Sequence, residues 1–323
     1  MNPHVRTTLA AKALGQPWML YRPVAESMKA VVLRHAVGAD IDQEQLERLI
    51  AERDERRRTR GAVSRRTAFA VDGGTRGMSV DPDEREMFYR AGPGGCVAVV
   101  PVEGLICKYA SMVNGISQPQ GMTPGDLTYA LNAALACIGS GVRSIVLDID
   151  SPGGTVAGSH DICEAIEAAK AFRSADGSAV PIVAYAHDLC CSAAYLLASQ
   201  CDAVYCSEQA TVGSIGVCSC LIDESRMYEE AGVEVKLIAS SPVKGGGVYP
   251  GAKITKEHTA AELATVTEMA DWFTDRVMRG RNMEVDDAVA VATGDVWIGQ
   301  RAVDMKLCDG VCGFAELLNM LAE

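Results

Sequence analysis

The stretch SIVLDIDSPGGTVAGSHDICEAIEAAKAFRSADGSAVPIVAYAHDLCCSAAYLLAS, residues 144–199, decides the fold. SIVLDID (144–150) is a largely apolar run of strand length, and PIVAYA (181–186) is a second. Between them SHDICEAIEAAKAF reads as a helix that begins after Gly158, and SAAYLLAS (192–199) reads as a short helix after the second strand. Strands apolar on both faces and separated by helices belong to a parallel sheet inside an α/β core.

Working outward, the same alternation continues. CVAVVPVEGLI (96–106) reads as a strand, and TPGDLTYALNAALACI (123–138) as a helix with Pro124 in its first turn. DAVYCS (202–207), IGVCSCL (215–221) and VEVKLIA (233–239) are further short β-type runs, followed by a long helix at about 255–280 and two short ones. Residues 1 to about 60 read as helical, with Leu46, Leu49 and Ile50 as an apolar stripe, and residues 61–94, rich in Gly, Arg, Ser, Asp and Pro, as a linker. The division is thus an N-terminal segment and linker, 1–94, and an α/β domain, 95–323, with no tandem repeat.

Composition narrows the function. The chain has 323 residues, 48% hydrophobic and 5% aromatic, enough for a substantial core and incompatible with a disordered or collagen-like chain. Lys+Arg is 30 and Asp+Glu is 42, so the net charge of −12 makes a poor non-specific nucleic-acid binder. The one basic run, Arg53 to Arg66, holds seven arginines but also Asp54 and Glu55, and reads as a solvated helix end and linker. No run approaches the length of a membrane span, and the first residues lack the apolar region of a signal peptide, so a soluble cytoplasmic protein is expected. Twelve cysteines contain no CxxC pair, and the five histidines complete no zinc-finger spacing. Buried free thiols are expected, with no metal site.

Three clusters lie just after predicted strands, where open α/β sheets place ligands. Asp150-Ser151-Pro152-Gly153-Gly154 offers a backbone N–H with no side chain in the way, and also reads as an ordinary βα turn. In Cys190-Cys191-Ser192-Ala193-Ala194, Ser192 at a helix mouth is a candidate nucleophile, with the Ala193 N–H placed to donate to an oxyanion. Taken alone, Ser192 equally reads as a helix N-cap. In Ser240-Ser241-Pro242-Val243-Lys244-Gly245-Gly246-Gly247, a desolvated Lys244 can take a proton from a serine, whereas an isolated lysine usually floats on the surface. A histidine base is the lesser option. His187 adjoins Asp188 and cannot readily form a carboxylate pair in line with Ser192, and His160 at a helix start reads as a surface residue.

DSPGG, then CSAAY, TVGSIGV (211–217) and IASSPVK (238–244), in this order, resemble the signal peptide peptidase A (protease IV) family of Ser–Lys peptidases. CSAAYLLAS and the N-terminal PWMLYRPVAESM resemble its phage and prophage branch, the capsid-assembly proteases typified by phage lambda's protein C. The resemblance covers about 95–312 and implies a ClpP/crotonase-like core of repeated ββα units. It also implies a serine endopeptidase, with Ser192 as nucleophile, Lys244 as general base, and Gly154 and Ala193 as oxyanion donors. By the same likeness Gly153 shapes the loop, and Ser214, a rival nucleophile on its face, lines the site. The run Gly245-Gly246-Gly247-Val248-Tyr249-Pro250 departs from the family pattern, which bears on the stiffness of the lysine loop. Single-repeat members share the dyad between protomers, so a homo-oligomer is implied, with a polypeptide substrate, possibly capsid, scaffold or portal protein, and no cofactor. The competing readings are an acyl-CoA enzyme of the crotonase kind, a non-catalytic capsid-assembly protein of this fold, and a cytosolic bacterial peptidase.

Overall fold

The computed structural model describes residues 18–20, 88–108 and 121–323. In chain order the elements are β1 (Trp18–Leu20), β2 (Tyr89–Ala91), β3 (Val97–Ile106), β4 (Gly121–Met122), α1 (Pro124–Ala136), β5 (Ser144–Thr155), α2 (Ser159–Ala171), β6 (Ile182–Cys191), α3 (Ala193–Ser199), β7 (Ala203–Cys206) and β8 (Thr211–Gly213). Then come α4 (Ser225–Glu230), α5 (Lys256–Gly280), α6 (Val285–Val291), β9 (Val296–Ile298), α7 (Gln300–Asp304), β10 (Gly310–Val311) and α8 (Phe314–Met320).

The sheet runs β10-β7-β6-β5-β3-β2, parallel throughout except where β2 lies antiparallel on β3. This is the parallel-rich α/β architecture expected. The three central strands outrun their first set of neighbours. Register shifts at Glu103/Leu105 and Ile149/Ser151 bend them, and their far ends acquire new partners. There β4 joins β3 in parallel, β8 joins β6 in parallel with β9 antiparallel beyond it, and β1 joins β5 antiparallel.

Alternation along the strands divides the core. Ala98, Val100, Ile145, Leu147, Ile182 and Ala184 face α1, α2, α3 and α5. Val97, Val99, Val146, Val183 and Tyr185 face α8, whose Phe314, Leu317 and Leu318 cover them. Helix α1 starts as its sequence dictates: Asp126 N–H donates to Thr123 Oγ and Thr123 N–H to the Asp126 carboxylate, both at 3.1 Å, around Pro124.

Four expectations change. Strands β5 and β6 run on through SPGGT and HDLCC, because a bulged strand continues where an ordinary one would turn. IGVCSCL and VEVKLIA form no strand. Three short helices and two short strands, rather than two short helices, follow α5. Residues 18–20, in the segment read as helical, form β1, while the rest of 1–87, including Leu46, Leu49, Ile50 and the arginine run, lies outside the described residues.

Candidate active site

The far end of β6 carries the decisive residue. Cys191 pairs with Gly213 of β8, and the chain then turns into α3 through Ser192. Ser192 makes that turn at φ 56 and ψ −120, a conformation that costs a residue with a side chain on the order of 1–3 kcal/mol. Two backbone hydrogen bonds hold it there: Ser192 N–H donates to Gly213 O at 2.7 Å, and Leu196 N–H to Ser192 O at 2.9 Å. The residue is 1% exposed, yet its hydroxyl has no hydrogen-bond partner among the described residues. Ser192 thus holds the N-cap position of α3 without a side-chain capping bond, and presents a strained, buried, uncommitted hydroxyl at a strand-to-helix elbow.

Ser214 is the second strained serine at this turn, at φ 53, with its N–H donating to Asp295 O at 2.6 Å. It follows Gly213, whose carbonyl holds Ser192, and so lies beside the elbow.

Gly153 and Gly154 lie in strand β5, not in a turn. Gly153 sits at φ 103, and a Cβ on Gly154 would fall 1.6 Å from Ile106 O, so no other residue fits. The pairing of Ser151 with Cys190 sets these glycines alongside the Cys191–Ser192 elbow. Ser151, which the sequence reading passed over, ties the region together. Its buried hydroxyl donates to Gly104 O at 2.6 Å and accepts from Gly153 N–H at 3.2 Å, joining the bulges of β3 and β5. Ala193, fully buried, opens α3 next to the candidate nucleophile.

Lys244 stands apart. It is exposed, on a loop of turns, and within one chain it makes no hydrogen bond to the Ser192 hydroxyl. The glycines after it are packed, not loose: a Cβ on Gly246 would lie 2.4 Å from the His258 ring, and one on Gly247 2.7 Å from Leu221. His258 is itself fixed, accepting from Thr255 N–H at 3.2 Å in the capping box that starts α5. The glycine run thus lets the lysine loop pack closely and stiffens it.

The histidines lie elsewhere. His187 does form a carboxylate pair, with Asp148 of the neighbouring strand at 3.0 Å, against Tyr185 and Phe314. It was missed because the partners are 39 residues apart in sequence. His160 pairs with exposed Glu164 at 3.4 Å, the surface role expected. Of the twelve cysteines, all free, Cys190 and Cys191 flank Ser192. Burial pushes the Cys191 thiol up to about 12 and Cys190 well up, so neither is a thiolate that competes with the serine. Among the described residues no group of three or more His, Cys, Asp or Glu side chains is placed to hold a metal ion, and no helix is long and apolar enough to cross a membrane.

Residues 175–323, with both Ser192 and Lys244, match the sequence profile of peptidase family S49. The match takes in 149 of the 323 residues, a little under half of the chain. The chain is 30% identical over 227 residues to the Head-tail preconnector protein GP5 of Enterobacteria phage P21, covering 70% of this chain and 42% of that protein. It is 27% identical over 227 residues to the Capsid assembly protease C of Escherichia phage lambda, 70% of this chain and 49% of that one. It is 28% identical over 175 residues to the Putative signal peptide peptidase SppA of Enterococcus faecium, 54% of this chain and 48% of that one. The chain therefore spans about half the length of these relatives. The S49 match agrees with the ClpP/crotonase-like architecture.

Proposed function

We propose that this chain is a serine endopeptidase with Ser192 as nucleophile and Lys244 as general base. The observation that carries the reading is the Ser192 hydroxyl, buried, strained and without a hydrogen-bond partner among the described residues. Fold stability gains nothing from such a group, whereas a substrate carbonyl does. Lys244 as free amine takes the Ser192 proton, and the serine oxygen attacks a peptide carbonyl. Backbone N–H groups at Gly154 and Ala193 hold the oxyanion, each donor contributing about 10²–10³ in rate. Lys244 then protonates the leaving amine, and water hydrolyses the acyl-enzyme.

The lysine comes from a neighbouring copy. Lys244 is exposed where Ser192 is buried, and the segment around it is apolar and uncovered, with Ile238 95%, Val248 62% and Tyr249 56% exposed. Such a patch on one chain calls for a partner surface. The substrates are phage head or scaffold proteins, a reading supported by the names of the phage P21 and lambda relatives.

A fluorophosphonate probe mapped by mass spectrometry tests the nucleophile: it should modify Ser192 alone, and more slowly in Lys244→Ala. Mixing inactive Ser192→Ala with inactive Lys244→Ala should restore cleavage of a co-expressed head protein. Unmodified Ser192, or processing unchanged in both variants, overturns the reading.

A further inference from the structure

Strand β1 pairs with the very backbone that a substrate needs. Its register is antiparallel, Trp18 opposite Thr155, Met19 opposite Gly154 and Leu20 opposite Gly153. Strand β5 has two edges here. One is filled by β3, whose Leu105 and Ile106 pair with Gly153 and Gly154. The other belongs to β6 as far as Ser151 opposite Cys190, after which β6 turns away at Ser192. Continued by two residues, that register would set position 192 opposite Gly153. Leu20 stands there instead. So β1 occupies the strip of sheet edge vacated at the Ser192 elbow, running beside the proposed oxyanion residue Gly154.

An extended peptide presented to Ser192 would be recognised by adding a strand to a free edge. Among the described residues, the edge of β5 that β3 leaves open at Gly153 and Gly154 is the one that β1 fills. We propose that the N-terminal strand Trp18–Leu20 is an internal competitor for the substrate strand, so that this chain is self-inhibited until β1 is displaced. The inference rests on the peptidase reading. A tethered segment competes at an effective concentration in the millimolar range without needing high intrinsic affinity. If the edge is open in about one molecule in ten, the apparent substrate affinity is about tenfold weaker than that of the uncovered site.

The test uses the full chain. Met19→Pro with Leu20→Pro removes a strand N–H whichever of the two faces β5, and Met19→Gly with Leu20→Gly weakens the strand more gently. Hydrogen exchange should show the β5 amides at 154–155 that face β1 protected in the parent chain and exposed in either variant, while the Gly153 amide, held by the Ser151 hydroxyl, stays protected in both. KM for an extended peptide substrate should fall about tenfold, and fluorophosphonate labelling of Ser192 should quicken. A synthetic peptide of residues 16–23 should inhibit the variants competitively and restore protection at 154–155. Unchanged exchange and KM in a folded variant, or a peptide that neither protects nor inhibits, overturns the proposal. Loss of Ser192 labelling in every form, with protection still responding to the peptide, would instead sink the peptidase reading and leave the strand competition standing.

Discussion

Ser192 is kept in a conformation that its own side chain disfavours, with a hydroxyl left unpaired among the described residues. Both features are costs, so removing them should raise stability while ending activity. Ser192→Ala removes the unpaired hydroxyl, and Ser192→Gly also removes the left-handed strain, for a further gain of about 1 kcal/mol. Urea denaturation should rank glycine above alanine above serine, with probe labelling absent in both variants. A parent chain more stable than Ser192→Gly would show that the elbow is not strained. Ser151 makes the opposite prediction. Its hydroxyl satisfies Gly104 O and Gly153 N–H, so Ser151→Ala should lower stability by about 1–3 kcal/mol by leaving a buried N–H and a half-buried carbonyl unpaired.

At the scale of elements, the lysine loop and the start of α5 form one packed unit. Gly246→Ala drives a Cβ to 2.4 Å from the His258 ring, so the loop must shift. Peptide hydrolysis should fall at least about tenfold, with a stability loss of about 1–3 kcal/mol read from the urea midpoint, because overpacking misplaces Lys244. The strands and helices from Val97 to Cys206 were legible because their apolar runs and helix starts are local signals. VEVKLIA carries the alternation of a strand, yet Ile238 is 95% exposed, since a strand forms only where an edge receives it. The bulges that carry β5 through Ser-Pro-Gly-Gly are set by contacts with β3, and the Asp148–His187 pair by strand register. Neither is written in any short stretch of sequence. Ser192 could be picked out as a candidate from its position. That its hydroxyl makes no capping bond could not, because both roles ask for the same residue at the same place.

The whole molecule carries an unusual load of buried thiols, and this fixes its response to alkali. Burial holds Cys191 and Cys201 at about 12, against an ordinary value of 9.0. The folded state keeps these protons and the unfolded state gives them up. Their stabilising effect is therefore complete below about 9 and is lost as pH rises from there towards about 12. Each thiol should cost up to about 1.4 kcal/mol per pH unit in that window. Urea titrations under reducing conditions at neutral pH and near pH ~10 should show the loss, and Cys191→Ala with Cys201→Ala should reduce it. Equal stability at the two pH values would contradict it.

The arrangement of α8 has an outcome in time. Val97, Val99, Val146 and Val183 lie early in the chain, but the side chains that shield them, Phe314, Leu317 and Leu318, come late. While the polypeptide is being made, a greasy flank of the sheet stays wet until synthesis has passed residue 320.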